Sequence, residues 1–184
     1  MEINKNVVEF AKKMELVKLP RWEDLPNIDY YNFQICEFIK QHLFFMNEVF
    51  GDNYLTPTMV NNYVKNGIID KPKNKKYSKA AIAKLIVVSC LKQVLEISDI
   101  GNGIDLLINL VGLEKAYEIF IKSLNDAFKS IFGSVSKGVY PLNLEIKNLD
   151  SSDINVSLAC LALASKVLIK KLILEDGFVV RKNI

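Results

Sequence analysis

The chain has one histidine and three cysteines, a scarcity that leaves little room for metal chemistry. Cys36, Cys90 and Cys160 lie far apart, and no C-x-x-C pair or Cys/His cluster occurs, so neither a zinc site nor a metal-sensing loop is expected. Each cysteine stands in an apolar helical context and reads as a small core residue. His42 falls on an apolar helical stripe with no partner at suitable spacing, so it reads as a half-buried, hydrogen-bonded side chain. Catalysis lacks its other requirements as well. Glu37, Glu48, Asp99 and Asp105 show no paired spacing and no nucleophile stands beside a base, so no catalytic residue, cofactor or metal is expected and the chain does not read as an enzyme. Gly101-Asn102-Gly103 is a lone GxG with no preceding strand, too little for a phosphate loop. Long apolar runs are missing too: Ile154 to Ser165 falls well short of the ~20 residues that a bilayer demands. Met1-Glu2-Ile3-Asn4-Lys5 opens without the apolar segment of a secretory signal. The expected setting is the cytoplasm, with no membrane partner.

What the chain does have is a stretch from Leu55 to Ile100 with a distinct order of signals. Thr56 and Pro57 open a helix, a hydroxyl before a proline that suits the first turn. Met59, Val60, Tyr63 and Val64 recur at helical spacing as one buried face. Gly67 stops that helix, and Ile68-Ile69 leads into a strand or turn. Asp70 to Tyr77 is too polar and too rich in Pro and Asn to pack, so it is a loop or hairpin. Ser78 is expected to cap a longer amphipathic helix that buries Ile82, Leu85, Ile86, Ser89 or Cys90, and Val94. The net charge is only +3, but its distribution is uneven. Lys65, Lys71, Lys73, Lys75, Lys76, Lys79 and Lys84 stand against Asp70 alone, a local excess of about six charges. Helix, turn, lysine-rich wing and helix is a nucleic-acid-binding layout.

The segment Met59-Val60-Asn61-Asn62-Tyr63-Val64-Lys65-Asn66-Gly67-Ile68-Ile69, followed by Lys75-Lys76-Tyr77, resembles the DNA-binding domain of MerR-type regulators. That family carries a pattern close to T-[IL]-R-Y-Y-E-x-x-G-L-[IL] and then R-x-Y in its wing. Tyr63, Gly67 and Tyr77 match, Lys75 stands where the family has its wing arginine, and Asn61-Asn62 replaces the Arg-Tyr pair. A longer set of segments, LPRWEDLPNIDYYNFQICEFIKQHL, TPTMVNNYVKNGII, KPKNKKYS and LKQVLEISDI, resembles the bacterial domain-of-unknown-function family 1836, whose members are expected to carry a helix-turn-helix. The resemblance implies a mainly α fold, a MerR-like winged helix-turn-helix followed by an all-helical extension. It brings no established activity.

Elsewhere the pattern is helical. Asn4 to Val17 forms a first helix with Val7, Val8, Ala11 and Met14 on one face. Two prolines bar a helix interior from Leu19 to Pro26, where Trp22 is expected to pin the linker to the core. A long helix is expected from Asn27 or Asp29 to about Phe50, ended by Gly51. Ser98 or Asp99 caps another, continuing through Ile104, Leu107, Ile108 and Val111 to Gly112. Glu114 to Phe132 places Tyr117, Phe120, Ile121, Leu124, Phe128, Ile131 and Phe132 at helical spacing. Residues 133–150 read as a loop or short ribbon, and Ser151 or Ser152 caps a last helix. On that helix Val156, Ala159, Cys160, Leu163, Val167, Lys170 and Leu174 share a face, and other apolar residues surround it. Such a helix is central or lies at an oligomer interface. The expected domains are 1–112, holding the helix-turn-helix, and 113–184, a dimerisation or effector region.

The expected function is that of a DNA-binding transcriptional regulator. The helix from Thr58 to Asn66 enters the major groove, where Asn61, Asn62 and Asn66 are the candidates for reading adenine. Lys65 reaches a guanine edge or a phosphate, and Lys71, Lys73, Lys75 and Lys76 hold flanking phosphates as a wing that ends at Tyr77. Tyr63 packs its ring and offers its hydroxyl to a phosphate. The expected partners are double-stranded DNA and a second copy, since two half-sites require a homodimer; a small-molecule effector would bind in the extension. The alternative is a protein-interaction module that keeps the helix-turn-helix shape and has lost DNA.

Overall fold

Two helices begin where Asn4 and Thr56-Pro57 start them, and three end where glycine stops them. The computed structural model describes residues 2–139 and 153–180. In chain order its elements are β1 (Glu2–Ile3), α1 (Lys5–Glu15), a 3₁₀ turn (Trp22–Asp24), β2 (Tyr30–Tyr31), α2 (Asn32–His42), α3 (Phe44–Phe50) and a 3₁₀ turn (Asp52–Tyr54). There follow α4 (Pro57–Lys65), β3 (Lys76–Tyr77), α5 (Lys79–Leu91), α6 (Ile97–Val111), α7 (Leu113–Val135), α8 (Ile154–Leu174) and β4 (Val179–Val180). The protein is mainly helical. The Asn4 side chain accepts the Asn6 N–H at 3.0 Å to cap α1, and Thr56 accepts the Met59 N–H at 3.3 Å to cap α4. Gly51, Gly67 and Gly112 end α3, α4 and α6 with φ of 75°, 75° and 82°, a left-handed turn open to glycine without strain.

The chain folds as two compact units, residues 1–18 with 122–184 and residues 19–121. The boundaries fall at 18/19 and within α7 at 121/122, whereas the sequence suggests 112/113. In the first unit α1 belongs with the C-terminal helices. Phe10 meets Phe132 edge-on at 5.9 Å between centroids, and Ser136 Oγ donates to Glu15 Oε2 at 2.7 Å. Asn4 Nδ2 donates to the Glu175 carbonyl at 2.8 Å, and β1 pairs antiparallel with β4, Ile3 opposite Val179. The α7 stripe is buried as its spacing predicts, from Tyr117 to Phe132. The face expected on α8 is buried at Cys160, Leu163 and Val167, but Leu174 is 66 % exposed. Residues 133–135 continue α7, and residues 140–150, with the Ser151 and Ser152 caps, lie outside the described residues.

The second unit is built around α5. This helix is not amphipathic as expected: Ala81, Ile82, Ala83, Leu85, Ile86, Val88, Ser89, Cys90 and Leu91 are all buried, so neighbours cover it on nearly every side. Ser78 occupies its N-cap position, yet its hydroxyl makes no capping bond. Ile35 and Ile39 of α2, Phe45 and Met46 of α3 and Val60 of α4 have no exposed surface; each such side chain stabilises the unit by ~1.5–3 kcal/mol. The single long helix expected up to Phe50 is broken at Leu43 (φ −102°, ψ 42°). In a continuous helix Phe45 would point about 120° away from Ile39. The break turns both Leu43 and Phe45 into the core, although no proline or glycine marks it. Glu96, rather than Ser98 or Asp99, sits at the N-cap of α6. Gly101 and Gly103 are therefore helical and form no loop; a Cβ on Gly101 would lie 3.3 Å from Ile68 Cγ1, so glycine there lets the helix approach Ile68.

Candidate nucleic-acid interface

Helix α4 is held from behind. Val60 and Tyr63 are buried, and Ile68 and Ile69 close the core below its end. Lys92 donates to the Tyr54 carbonyl and lies 3.3 Å from Met59 Sδ, tying α5 to the chain that leads into α4. Burial lowers the pKa of that ammonium. Beyond its first residue, Pro57, what α4 leaves to solvent is Thr58, Asn61, Asn62 and Lys65, with Asn66 at the C-cap. Spacings of three and four residues put these side chains on one face. That face carries hydrogen-bonding groups and one cation, with no carboxylate.

The wing is a hairpin. Lys73 and Lys76 exchange both backbone hydrogen bonds, at 3.0 and 2.9 Å, across a two-residue turn of Asn74 and Lys75. Both turn residues have positive φ, 52° and 64°, which makes the turn type I′, the kind whose twist matches its strands. Asn adopts this conformation readily, and lysine does so at a cost. Lys75→Gly is therefore expected to raise the unfolding free energy by about 0.5–1 kcal/mol, because relief of left-handed strain outweighs the added freedom of the unfolded chain. A denaturant titration checks it; a less stable variant would contradict the turn.

Beyond the hairpin, β3 pairs antiparallel with β2, Tyr31 opposite Lys76 and Tyr30 opposite Tyr77. Lys76 Nζ sits 5.1 Å from the centroid of the Tyr31 ring. The next residue, Asn32, reaches α4: its Nδ2 donates to the Pro57 carbonyl and to Asn61 Oδ1, both at 3.1 Å. Consecutive residues thus touch the hairpin and α4, which brings the two surfaces side by side. Spacing gives no hint of this, since Asn32 and Asn61 are 29 positions apart.

The structure sorts the eleven residues singled out by sequence. Thr58, Asn61, Asn62, Lys65 and Asn66 lie exposed on or at the end of α4, and Lys71, Lys73 and Lys75 lie exposed in the wing. Lys76 is half-buried over Tyr31. Tyr63 and Tyr77 are 5 % and 3 % exposed, and burial raises both phenols above their ordinary pKa, so they serve as packing under the surface rather than as part of it. Of the remaining lysines, Lys84 pairs with Asp70 at 3.5 Å. Lys79 sits 5.0 Å over the Trp22 ring and donates to Asn27 Oδ1 at 3.2 Å. Trp22 in turn meets Tyr117 at 6.1 Å, and its backbone N–H donates to Glu118 Oε1 at 2.6 Å, which pins the linker. Lys65, Lys71, Lys73 and Lys75 make no ion pair among the described residues.

His42 Nδ1 hydrogen-bonds the Phe38 carbonyl at 2.8 Å, and Cys36, Cys90 and Cys160 are all buried and form no disulfide. Among the described residues no group of three or more His, Cys, Asp or Glu side chains gathers as a metal site, and no helix is long and apolar enough to cross a membrane.

The family model for a domain of unknown function, DUF1836, matches residues 20–120. No curated protein and no solved structure matches the chain. The matched stretch coincides, to one residue at each end, with the compact unit of residues 19–121 that holds α4 and the wing. More than half of the chain lies within the match, and the chain belongs to the DUF1836 family.

Proposed function

We propose that residues 19–121 bind double-stranded DNA as a MerR-like winged helix-turn-helix, and that the protein regulates transcription. In this reading α4 lies in the major groove and the hairpin at Lys73 to Lys76 rests on the flanking phosphates. The observation that carries it is the pair of consecutive contacts at Tyr31 and Asn32, which set a carboxylate-free polar helix face beside a wing of exposed lysines. Asparagine on such a face is suited to adenine, and lysine to phosphate. A single nine-residue helix touches few base pairs, so specific binding calls for a second copy. In support of a homodimer, α8 exposes Ile154, Leu158, Ile169 and Ile173 at 40, 51, 55 and 72 %. At 100° per residue these four fall within one stripe about 100° wide.

A second reading, a protein-interaction module, draws on Ile28 and Phe33, exposed at 67 and 61 % close in sequence to Asn32. Titration of a labelled mixed-sequence duplex at low salt separates the two. Binding is expected; its absence at any accessible protein concentration would leave the interaction module.

A further inference from the structure

The face of α4 offers three asparagines, and the structure treats one of them differently. Asn32, in the first turn of α2, spends both Nδ2 protons on α4, one on the Pro57 carbonyl and one on Asn61 Oδ1. Its own Oδ1 lies 3.8 Å from the Cys36 thiol, a weak donor. Turning the Asn32 amide over would set its oxygen against two oxygens and its NH₂ against the thiol, so the chemistry of the neighbours fixes its orientation. The same logic passes to Asn61. Its Oδ1 must face Asn32, because the reverse would set two NH₂ groups against each other, and its Nδ2 then points away from Asn32. Among the described residues the Asn62 and Asn66 side chains make no hydrogen bond, so their amides turn freely.

We propose that Asn32 is a positioning residue that fixes the Asn61 amide and thereby makes Asn61, of the three asparagines, the one that reads adenine. This rests on the DNA-binding reading. A carbonyl oxygen has two lone pairs. Asn32 occupies one on Asn61 Oδ1 and leaves the other, which with the outward Nδ2 forms an acceptor and a donor. Adenine presents the complement in the major groove, an N6 donor and an N7 acceptor. An amide already held in place loses no rotamer freedom when the base arrives, whereas Asn62 and Asn66 would each have to be ordered. The position therefore discriminates for A·T, while Lys65 and the wing lysines contribute affinity that is blind to sequence.

The experiment is selection of the full-length protein on a randomised duplex, repeated with Asn61→Ala, Asn62→Ala and Asn32→Ala, with salt dependence measured for each. The expected outcome is one strong A·T position in each half-site for wild type. It is lost by at least about tenfold in Asn61→Ala and in Asn32→Ala, and kept in Asn62→Ala. The salt slope stays the same in all three, because every lysine that faces phosphate is still present; a misfolded variant would change both. Should Asn32→Ala not fold, Asn61→Ala, a change on an exposed helix face, still decides whether this amide reads the base. Wild-type binding with the A·T preference retained in Asn61→Ala or Asn32→Ala would overturn the assignment and leave DNA binding intact. No binding by wild type would remove both.

Discussion

Replacing Lys73 and Lys75 together by glutamate is expected to weaken binding to mixed-sequence duplex DNA by at least about 100-fold at low salt. Each reversal removes a cation that releases a counterion from a phosphate and installs an anion that the phosphate repels. The slope of log K against log salt should become shallower by about 0.9 for each lysine reversed, about 1.8 for the pair. Lys73 and Lys75 are preferable to Lys76 for this purpose. Lys76 lies over Tyr31 and pairs within β3, so its reversal would disturb packing as well as charge. Lys73 and Lys75 are exposed and unpaired among the described residues. Anisotropy titrations of both proteins, with thermal melts to show that the fold persists, provide the comparison. Equal affinities would mean that the wing does not face phosphate.

A second large effect is expected in alkali. Tyr54, Tyr63, Tyr77 and Tyr117 are each at most 5 % exposed, and burial raises every one of these phenols above its ordinary pKa. Tyr117 also donates its proton to the Pro20 carbonyl at 2.8 Å, a bond that ionisation would destroy. Burial pushes the Cys36 thiol up to about 11 and raises Cys90 as well. A group with a raised folded pKa holds its proton longer folded than unfolded. Its stabilisation is thus complete below the ordinary value, about 9 for the thiols and about 10 for the phenols, and is lost as pH rises through the raised one. Each pH unit between a group's ordinary pKa and its raised one costs about 1.4 kcal/mol for that group, and the losses of the buried phenols add.

Lys92 works in the opposite sense. Its lowered pKa means that rising pH relieves a buried charge, up to its ordinary value of 10.5, but it is one group against six. Residues 19–121 should therefore lose stability as pH rises above about 10 and unfold cooperatively in alkali. Far-ultraviolet circular dichroism and phenolate absorbance, followed together, should show helix loss coincident with ionisation of the buried tyrosines. Complete ionisation near pH 10 with the helices intact would contradict the burial of these phenols.

How much of the fold is legible in the sequence depends on the range of the interaction. Thr56-Pro57 before α4, and Gly51, Gly67 and Gly112 after α3, α4 and α6, act within a few residues of where they stand. The polar face of α4 and the lysines of the wing follow from local spacing as well. The break at Leu43 is not legible, because only the need to bury Phe45 imposes it, and that need arises from the surrounding helices. Nor is the membership of α1, which joins the C-terminal helices through Phe10 and Phe132, more than a hundred residues away. The same reason hides Asn32. Its partner Asn61 stands 29 positions away in sequence, and an asparagine in the first turn of a helix looks like any other.

The most direct measurement is the affinity of the purified protein for a labelled mixed-sequence duplex across a salt series. Four exposed lysines, Lys65, Lys71, Lys73 and Lys75, are available to phosphates, so the expected slope is about −3.6 for each chain bound and about twice that for a dimer. A slope near zero, or no binding at low salt, would contradict a DNA-binding role for α4 and its wing.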